Sequence, residues 1–349
     1  MSLWQEPSRG RHHYAKALSK DNTVVWINKR YENSKNSPNK IGVEYINKNL
    51  IVLHTGKSFF SNKIDEYLNL NNLFRLFLIK KILLKSYKPD LIWIYDYKGI
   101  RIAKYFNKKA KVLYFCNDNF GNKVYHYYEL KLAKIVQYIF CTDLKLVNKF
   151  KLINNRTYFI PHGIWMDKKD ISIFRKKYTP KIVGYVGTFN DTLDINFFNQ
   201  ILINTNYDLY LAGPIFDCDY NKSILFKNLF QNNRVKYFGI LSNQSDITKF
   251  IQNFDICLLP YLNTFDGFAL KFFDYLYSGK IIVATEYNFI WPKEFLKFVH
   301  LYKKEFNLQV FLDSIYSSWN FCKYSNQKKL ASNSSWFDRI IEISKYLYN

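Results

Sequence analysis

Residues 254–285 read FDICLLPYLNTFDGFALKFFDYLYSGKIIVAT. The stretch opens on an apolar run ending in proline, DICLLP, and closes on a second run, KIIVAT. Between them lies a segment carrying Phe268, Phe272, Phe273 and Leu276, stopped by Gly279. Two apolar runs of strand length around one helix, with glycine where the helix ends, predict a strand–helix–strand unit. Inside it Asp266 and Asp274 are separated by a glycine, a lysine and a run of apolar residues. A core helix has no need of Asp266-Gly267, and a surface helix has no need of four large apolar side chains. The segment therefore asks for a role beyond packing.

The pattern repeats along the chain. Strand-like runs occur at 23–27 (TVVWI), 50–54 (LIVLH), 91–95 (LIWIY), 111–115 (KVLYF), 138–142 (YIFCT) and 157–161 (TYFIP). They continue at 181–187 (KIVGYVG), 207–213 (YDLYLAG), 234–239 (RVKYFG), 254–260, 280–285 and 298–302 (FVHLY). These runs are almost continuously apolar, as strands buried on both faces are. Helical stretches such as HHYAKALSK, RIAKYFNKK, DINFFNQILINT and SDITKFIQN alternate with them. Alternating strands and helices predict α/β layers with parallel sheets. At 349 residues the chain is too long for one ordinary core, so two such domains are expected in succession. The polar stretch MDKKDISIFRKKYTP, 166–180, is the expected hinge. The boundaries expected are 1–170, 171–333 and a closing helix over 334–349, capped by Ser334 or Ser335. Ligands of such sheets bind at the carboxyl ends of the strands, here in a cleft between the domains.

Hydrophobic residues make up 48%, and the longest apolar runs fall far short of a membrane span. With no leader-like start, the chain reads as cytosolic. The five cysteines are scattered with no C-x-x-C, and read as small core residues in a reducing compartment rather than a metal site. The net charge is +23. Residues 1–174 hold 31 Lys and Arg against 13 Asp and Glu, a balance of +18; residues 175–349 hold 20 against 15, or +5. Such a field attracts anions: nucleic acid, an anionic membrane or phosphorylated substrates. An AT-rich genome accounts for abundant lysine but less well for the asymmetry. The segment 71–88, NNLFRLFLIKKILLKSYK, reads as a basic helix with a broad apolar face, Arg75, Lys80, Lys81, Lys85 and Lys88 crowding its other side. It suits either an anionic membrane surface or a buried place in the first domain.

Three loops at strand ends carry candidate ligand groups. Gly187 lets backbone approach a ligand, and Thr188 and Thr192 follow it; the alternative is an ordinary loop with Asp191 or Thr192 capping the next helix. Gly213-Pro214 is a turn at the end of the next strand. If a helix starts near Phe268, the amides of Gly267, Phe268, Ala269 and Leu270 are unpaired donors suited to phosphate, with Lys271 adding a cation. Asp266 and Asp274 would then flank an extended ligand with a hydroxyl-bearing ring at each end. The competing reading makes Asp266 a helix cap and Asp274 a solvated side chain.

DGFALKFFD resembles the E-x7-E motif of retaining glycosyltransferases of family 4 and their relatives, in a D-x7-D version. YLYSGKIIVAT resembles the continuation of that motif. SRGRHHYAKAL, DLIWIYD, KVLYFCND, TYFIPHGIWMD, IVGYVGTFNDTLD, LYLAGP and the final SWFDRI helix resemble the family in order and spacing, across most of the chain. The resemblance implies a GT-B fold: a Rossmann-like acceptor domain, a Rossmann-like donor domain and a last helix crossing back to the first domain. It implies that the amides of Phe268, Ala269 and Leu270, with Lys271, hold the diphosphate of a nucleotide sugar. Asp274 would take the ribose hydroxyls, and Asp266 would face the transferred sugar. Both acids are Asp where Glu is usual, and the cation often found in the loop after the first donor-domain strand is absent. The usual first strand is almost missing.

The expected reaction is transfer of a glycosyl group, with retention, to a hydroxyl of a glycan, lipid-linked or surface-polymer acceptor. No cofactor or metal is implied. Asp118, His12 and His162 are candidates for the opposite wall. The expected location is cytoplasmic, with peripheral contact at the inner face of the membrane. Two rivals remain: a nucleotide-sugar epimerase of the same architecture, and a non-enzymatic module binding glycan or nucleic acid. No nucleic-acid motif is present, so no nucleic-acid partner is expected.

Overall fold

The structure is a computed structural model. It describes the chain except residues 1–2, 7–8, 32–39, 59–64, 66–67, 120–122, 166–181, 217, 242, 266, 288 and 349. The expected hinge at 166–180 and Asp266 both lie outside the described residues. The chain forms two compact units: residues 1–161 joined by 336–349, and residues 162–335.

In the second unit the strands are β8 (Ile182–Val186), β9 (Asp208–Ala212), β10 (Val235–Tyr237), β11 (Ile256–Leu259), β12 (Ile281–Thr285) and β13 (Val299–Tyr302). They form one six-stranded sheet in the order β10-β9-β8-β11-β12-β13, and every pair is parallel. Numbered from β8, that is the 3-2-1-4-5-6 order of a Rossmann sheet, which reverses direction between its first and fourth strands. β11 and β12 are buried throughout and β8 nearly so, as their unbroken apolar runs predict, whereas the edge strand β10 exposes Lys236 and Tyr237.

The strand–helix–strand reading of 254–285 corresponds to β11, the helix Lys271–Tyr277 and β12, with β11 and β12 in parallel register from Ile256↔Ile281 onward. Gly279 ends the helix in a left-handed conformation, φ 64°. Its N–H donates to the Leu276 carbonyl (3.0 Å) and the Lys280 N–H to the Tyr275 carbonyl (3.2 Å), which is the Schellman pairing.

The first unit is less regular. β4 (Leu91–Ile94), β5 (Lys111–Cys116), β6 (Tyr138–Cys141) and β7 (Thr157–Phe159) form a parallel four-stranded sheet. β1 (Val24–Ile27) pairs in parallel with β3 (Leu50–Thr55), and β2 (Ile41–Asn47) adds to β3 antiparallel. β2 was not expected. Its run is broken by Gly42 and Glu44, and it exposes Ile41, Tyr45 and Ile46, so it lacks the apolar continuity of its neighbours. The closing helix, Trp336–Tyr348, belongs to this unit. Trp336 stacks on His13 (5.0 Å between ring centres) and Tyr346 on Tyr158 (3.9 Å). The hydroxyl of Ser334, an expected cap of this helix, instead donates back to the Leu330 carbonyl.

Two further expectations are corrected. The basic helix of 71–88 is an α-helix over Leu70–Leu78 that passes into a π turn over Ile79–Leu83. Most of its apolar face is core: Leu76, Leu78, Ile79 and Leu83 are buried. Arg75 does not stand among solvated lysines but is buried, with Nη1 on Asn72 Oδ1 at 2.7 Å. The cysteines are all free; Cys116, Cys141 and Cys257 are core residues as expected, whereas Cys322 is exposed.

A Cβ built on Gly279 would sit 2.2 Å from the Tyr324 ring, in addition to its left-handed strain. Gly279→Ala should therefore destabilise the protein by roughly 1–3 kcal/mol. Urea titration should show a lower midpoint at unchanged slope.

Candidate functional site

The second sheet reverses direction between β8 and β11, and open α/β sheets take ligands outside the carboxyl ends of their strands at such a point. There β8 runs into Gly187 and β11 into Pro260-Tyr261. Gly187 (φ 150°) and Gly213 (φ 136°) both adopt conformations that favour glycine. A Cβ on Gly213 would lie 1.9 Å from the Gly187 carbonyl oxygen, and a Cβ on Gly187 would lie 2.5 Å from Lys271 Nζ. Only hydrogens fit at these two positions, which lets the Gly187 carbonyl approach Gly213 and the Lys271 ammonium approach Gly187.

Lys271 is the first residue of its helix, yet its side chain reaches back to that notch. Its ammonium lies 2.7 Å from the Tyr185 hydroxyl and 2.7 Å from the Tyr261 hydroxyl. It also sits 4.2 Å from the centre of the Tyr185 ring. The Tyr185 hydroxyl donates to the Thr188 carbonyl (2.9 Å), which leaves its lone pairs for the lysine. Among the described residues no ion pair involves Lys271. Desolvation pushes the ammonium down to about 7, opposed by the Asp274 carboxylate.

Asp274 stands three residues further along the same helix, half-buried. Gln244, in the first turn of the helix Gln244–Gln252, donates from Nε2 to its Oδ1 at 2.8 Å. Burial raises its carboxyl to about 6, opposed first by the Gln244 hydrogen bond and then by Lys271. Asp274 is thus not a freely solvated side chain.

The helix starts at Lys271, three residues later than expected. The Phe268 ring packs against Phe272, Phe273, Phe289, Trp291 and Phe295, and Ala269 is buried beside it. The entry is a tight turn: Phe272 N–H bonds the Ala269 carbonyl (3.0 Å) and Phe273 N–H the Leu270 carbonyl (3.2 Å), both across three residues. The amides of Gly267 through Lys271 donate to no backbone carbonyl among the described residues.

Other candidates have different surroundings. The Thr192 hydroxyl is taken up by Asn190 Oδ1 at 2.7 Å. Neither it nor Asp191 caps the following helix. Asp194 does, accepting from the Asn196 and Phe197 amides. His162 is buried, its ring 6.1 Å from that of Phe268. His12 lies in the first unit with both ring nitrogens engaged, by the Arg9 amide (3.1 Å) and the Leu3 carbonyl (3.1 Å), and stacks on Trp26. Asp118 lies just past β5, where desolvation raises its carboxyl and Arg11 and Arg9 oppose that shift. Lys271, Gly187, Gly213 and the Thr188 backbone therefore share one place, with Asp274 along the same helix.

Sequence reading missed Tyr185, Tyr261 and Gln244. The tyrosines read as core aromatics inside apolar runs, and only their position at the ends of β8 and β11 marked them. Tyr261 also lines a pocket with Asp194, Asn263, Thr285, Glu286 and Lys304, beyond the ends of β11 to β13.

The shifts of Asp274 and Lys271 both oppose folding near neutrality. For Asp274 the folded value is raised, so its favourable contribution is complete below 3.8 and is lost as pH rises through about 6. Asp274→Asn should thus stabilise the fold above pH 6, by roughly 1–3 kcal/mol, and make little difference near pH 4. Chemical denaturation at the two pH values checks this.

A scan against models of known protein families finds no match, nor does a search of curated proteins. Solved structures do match. A UDP-forming α,α-trehalose-phosphate synthase from Burkholderia xenovorans, in complex with glucose-6-phosphate, superposes with TM-score 0.69 at 10% identity, covering 99% of this chain and 96% of that one. The catalytic domain of starch synthase IV from Arabidopsis thaliana, bound to ADP and acarbose, gives 0.65 at 11%, covering 99% and 97%. HepE of Anabaena, in complex with UDP and glucose, gives 0.58 at 17%, covering 85% of each chain. At these identities the likeness is one of fold, and the fold of this chain is that of the GT-B glycosyltransferases.

Proposed function

We propose that the chain is a glycosyltransferase that moves a sugar from a nucleotide-diphosphate sugar to a hydroxyl of a glycan, lipid-linked or surface-polymer acceptor, with retention. The observation that carries this reading is the Lys271 ammonium, held by neutral hydroxyls against Gly187 at the reversal point of a Rossmann sheet. A cation without a carboxylate hydrogen-bonded to it, at the carboxyl ends of a Rossmann sheet, suits a diphosphate. The solved structures of the same fold support the ligand class, since one is a complex with UDP and glucose and another with ADP and acarbose.

In this reading Lys271 stabilises the charge that develops on the leaving diphosphate. Gly187 and Gly213 admit the phosphates, with Thr188 and the amides of Gly267, Phe268, Ala269 and Leu270 around them. Asp274, aligned by Gln244, accepts from the ribose hydroxyls. Asp266 is assigned to the transferred sugar by the motif alone. Lys271 supplies the positive charge, so the reading needs no metal. The acceptor's proton goes to the leaving phosphate, and no general base is assigned; Asp118 and His12 belong to the unit assigned to the acceptor.

Thermal-shift measurements with UDP-, GDP-, dTDP- and CDP-sugars test the donor site. One donor class should raise the melting temperature, and Lys271→Met and Asp274→Ala should each weaken its binding at least about tenfold, the loss of one charge-assisted contact. The active donor should then release nucleoside diphosphate in the presence of acceptor; an epimerase would change the sugar and release none.

We also assign membrane contact to the first unit. Leu73 and Phe77 lie one helical turn apart and are 49% and 52% exposed. Lys80, Lys81, Lys85 and Lys88 follow and are all exposed, and no acid occurs between residues 67 and 89. Apolar side chains beside exposed lysines suit the surface of an anionic leaflet. Among the described residues no helix is long and apolar enough to cross a membrane. The protein should co-sediment with phosphatidylglycerol vesicles and not with phosphatidylcholine vesicles. Replacing Lys80, Lys81 and Lys85 by Glu should lower that binding by about tenfold or more.

A further inference from the structure

The motif places Lys271 on a helix, but the atom that matters is elsewhere. The family resemblance leads one to expect a cation in the loop after the first donor-domain strand, and that loop here is Gly187-Thr188-Phe189-Asn190, with none. The Lys271 ammonium nevertheless stands at that loop, close enough to Gly187 that a Cβ there would meet Nζ at 2.5 Å. What holds it is a pair of tyrosine hydroxyls, one from β8 and one from just past β11.

We propose that Tyr185 and Tyr261 are positioning residues, whose hydroxyls carry the Lys271 ammonium across the sheet's reversal point and keep it available to the donor diphosphate. This deepens the donor-site reading above and rests on it. An ammonium has three donors, and two are used by the tyrosines. The third has no acceptor among the described residues. Neutral hydroxyls fix the position of the charge without cancelling it, whereas a carboxylate at the same distance would compete with the ligand.

The arrangement also links binding to protons. The groups facing the ammonium are Tyr185 from β8, Tyr261 from the segment after β11, and Asp274 from its own helix. The Tyr275 hydroxyl, from the same helix, takes the Val186 amide behind them. Both tyrosine hydroxyls facing the lysine are raised by burial and stay neutral. Desolvation brings the free lysine to about 7, so it is partly uncharged at neutral pH. A bound diphosphate favours the charged form, so binding takes up a proton. Removing the hydroxyls takes away lone pairs that favour the ammonium, and the free lysine loses its proton at still lower pH.

The test is the affinity of the wild-type protein, Tyr185→Phe, Tyr261→Phe, the double variant and Lys271→Met for UDP-glucose, GDP-mannose, dTDP-glucose and CDP-glucose between pH 6.5 and 8.5. The diphosphates of these probes do not titrate in that window, and Asp274 stays largely ionised. Wild-type affinity for the donor that binds should fall about tenfold from pH 7 to 8.5, and Lys271→Met should bind weakly and evenly. The double variant should show the fall about one pH unit earlier: about tenfold weaker than wild type at pH 8, but only about threefold at pH 6.5. A purely structural role would weaken binding equally at every pH, and that result overturns the proposal. So does a flat wild-type profile, or a profile unchanged in the variants. If the double variant does not fold, the single variants decide, each expected to shift the profile by about half as much. Failure of wild type to bind any of the four donors overturns the donor-site reading itself; binding without the shift overturns only the role of the tyrosines.

Discussion

The candidate site depends on one half-buried cation that no carboxylate pairs with among the described residues. Two other buried polar clusters among the described residues each include a carboxylate. The side chain of Glu129 is fully buried and receives Lys149 at 2.7 Å and the Tyr114 hydroxyl at 2.8 Å. His54, inside β3, bonds Glu44 at 2.7 Å through Nε2 and meets the Tyr31 hydroxyl and the Asn28 amide through Nδ1. Among the described residues, the Lys271 ammonium has only hydroxyls as hydrogen-bond partners. Partial burial of an ammonium without an ion-pair partner opposes folding, and the same feature keeps its field available to an anion. Asp274 has a related character: Gln244 orients it, and it carries a raised proton affinity. Stability and ligand binding pull in opposite directions at both residues, as at functional sites generally.

The surrounding framework explains how such a site is kept. The strands that frame it are buried throughout, and Phe268 is wedged into a cluster of rings from the Lys271–Tyr277 helix and the segment 289–295. The turn ahead of the helix is therefore fixed by its side chains, while the amides of Gly267 through Lys271 donate to no backbone carbonyl among the described residues. The glycine pair at the ends of β8 and β9 is equally constrained, since the Gly187 carbonyl excludes a side chain at Gly213 and the Lys271 ammonium excludes one at Gly187. Rigid walls around an unneutralised charge amount to electrostatic preorganisation.

The charge asymmetry of the chain takes a more specific form in three dimensions. The basic segment 71–88 is mainly a core element, and its one buried cation, Arg75, serves the polar interior of the first unit. What reaches the surface is narrower: Leu73, Phe77 and the lysines after them. A periodicity argument cannot separate these two uses of one helix. The apolar stripe that packs inward and the residues left outside it differ by a fraction of a turn.

Much of the architecture was readable without coordinates. Strands buried on both faces leave unbroken apolar runs, so β1 and β3 to β13 were visible, as was the helix stop at Gly279. β2 was not, because an edge strand with one exposed face carries polar residues that interrupt the pattern. At the site, residue types marked Lys271, Asp274 and the glycines, since a lysine or an acid in an oily segment is conspicuous. Where the lysine's charge sits was settled by the fold alone. Tyr185 and Tyr261 are 76 residues apart in the sequence, and they meet one ammonium only because β8 and β11 are neighbours in the sheet. Local pattern records which side chains are buried; which hydroxyl meets which charge depends on strand order, and strand order leaves no local trace.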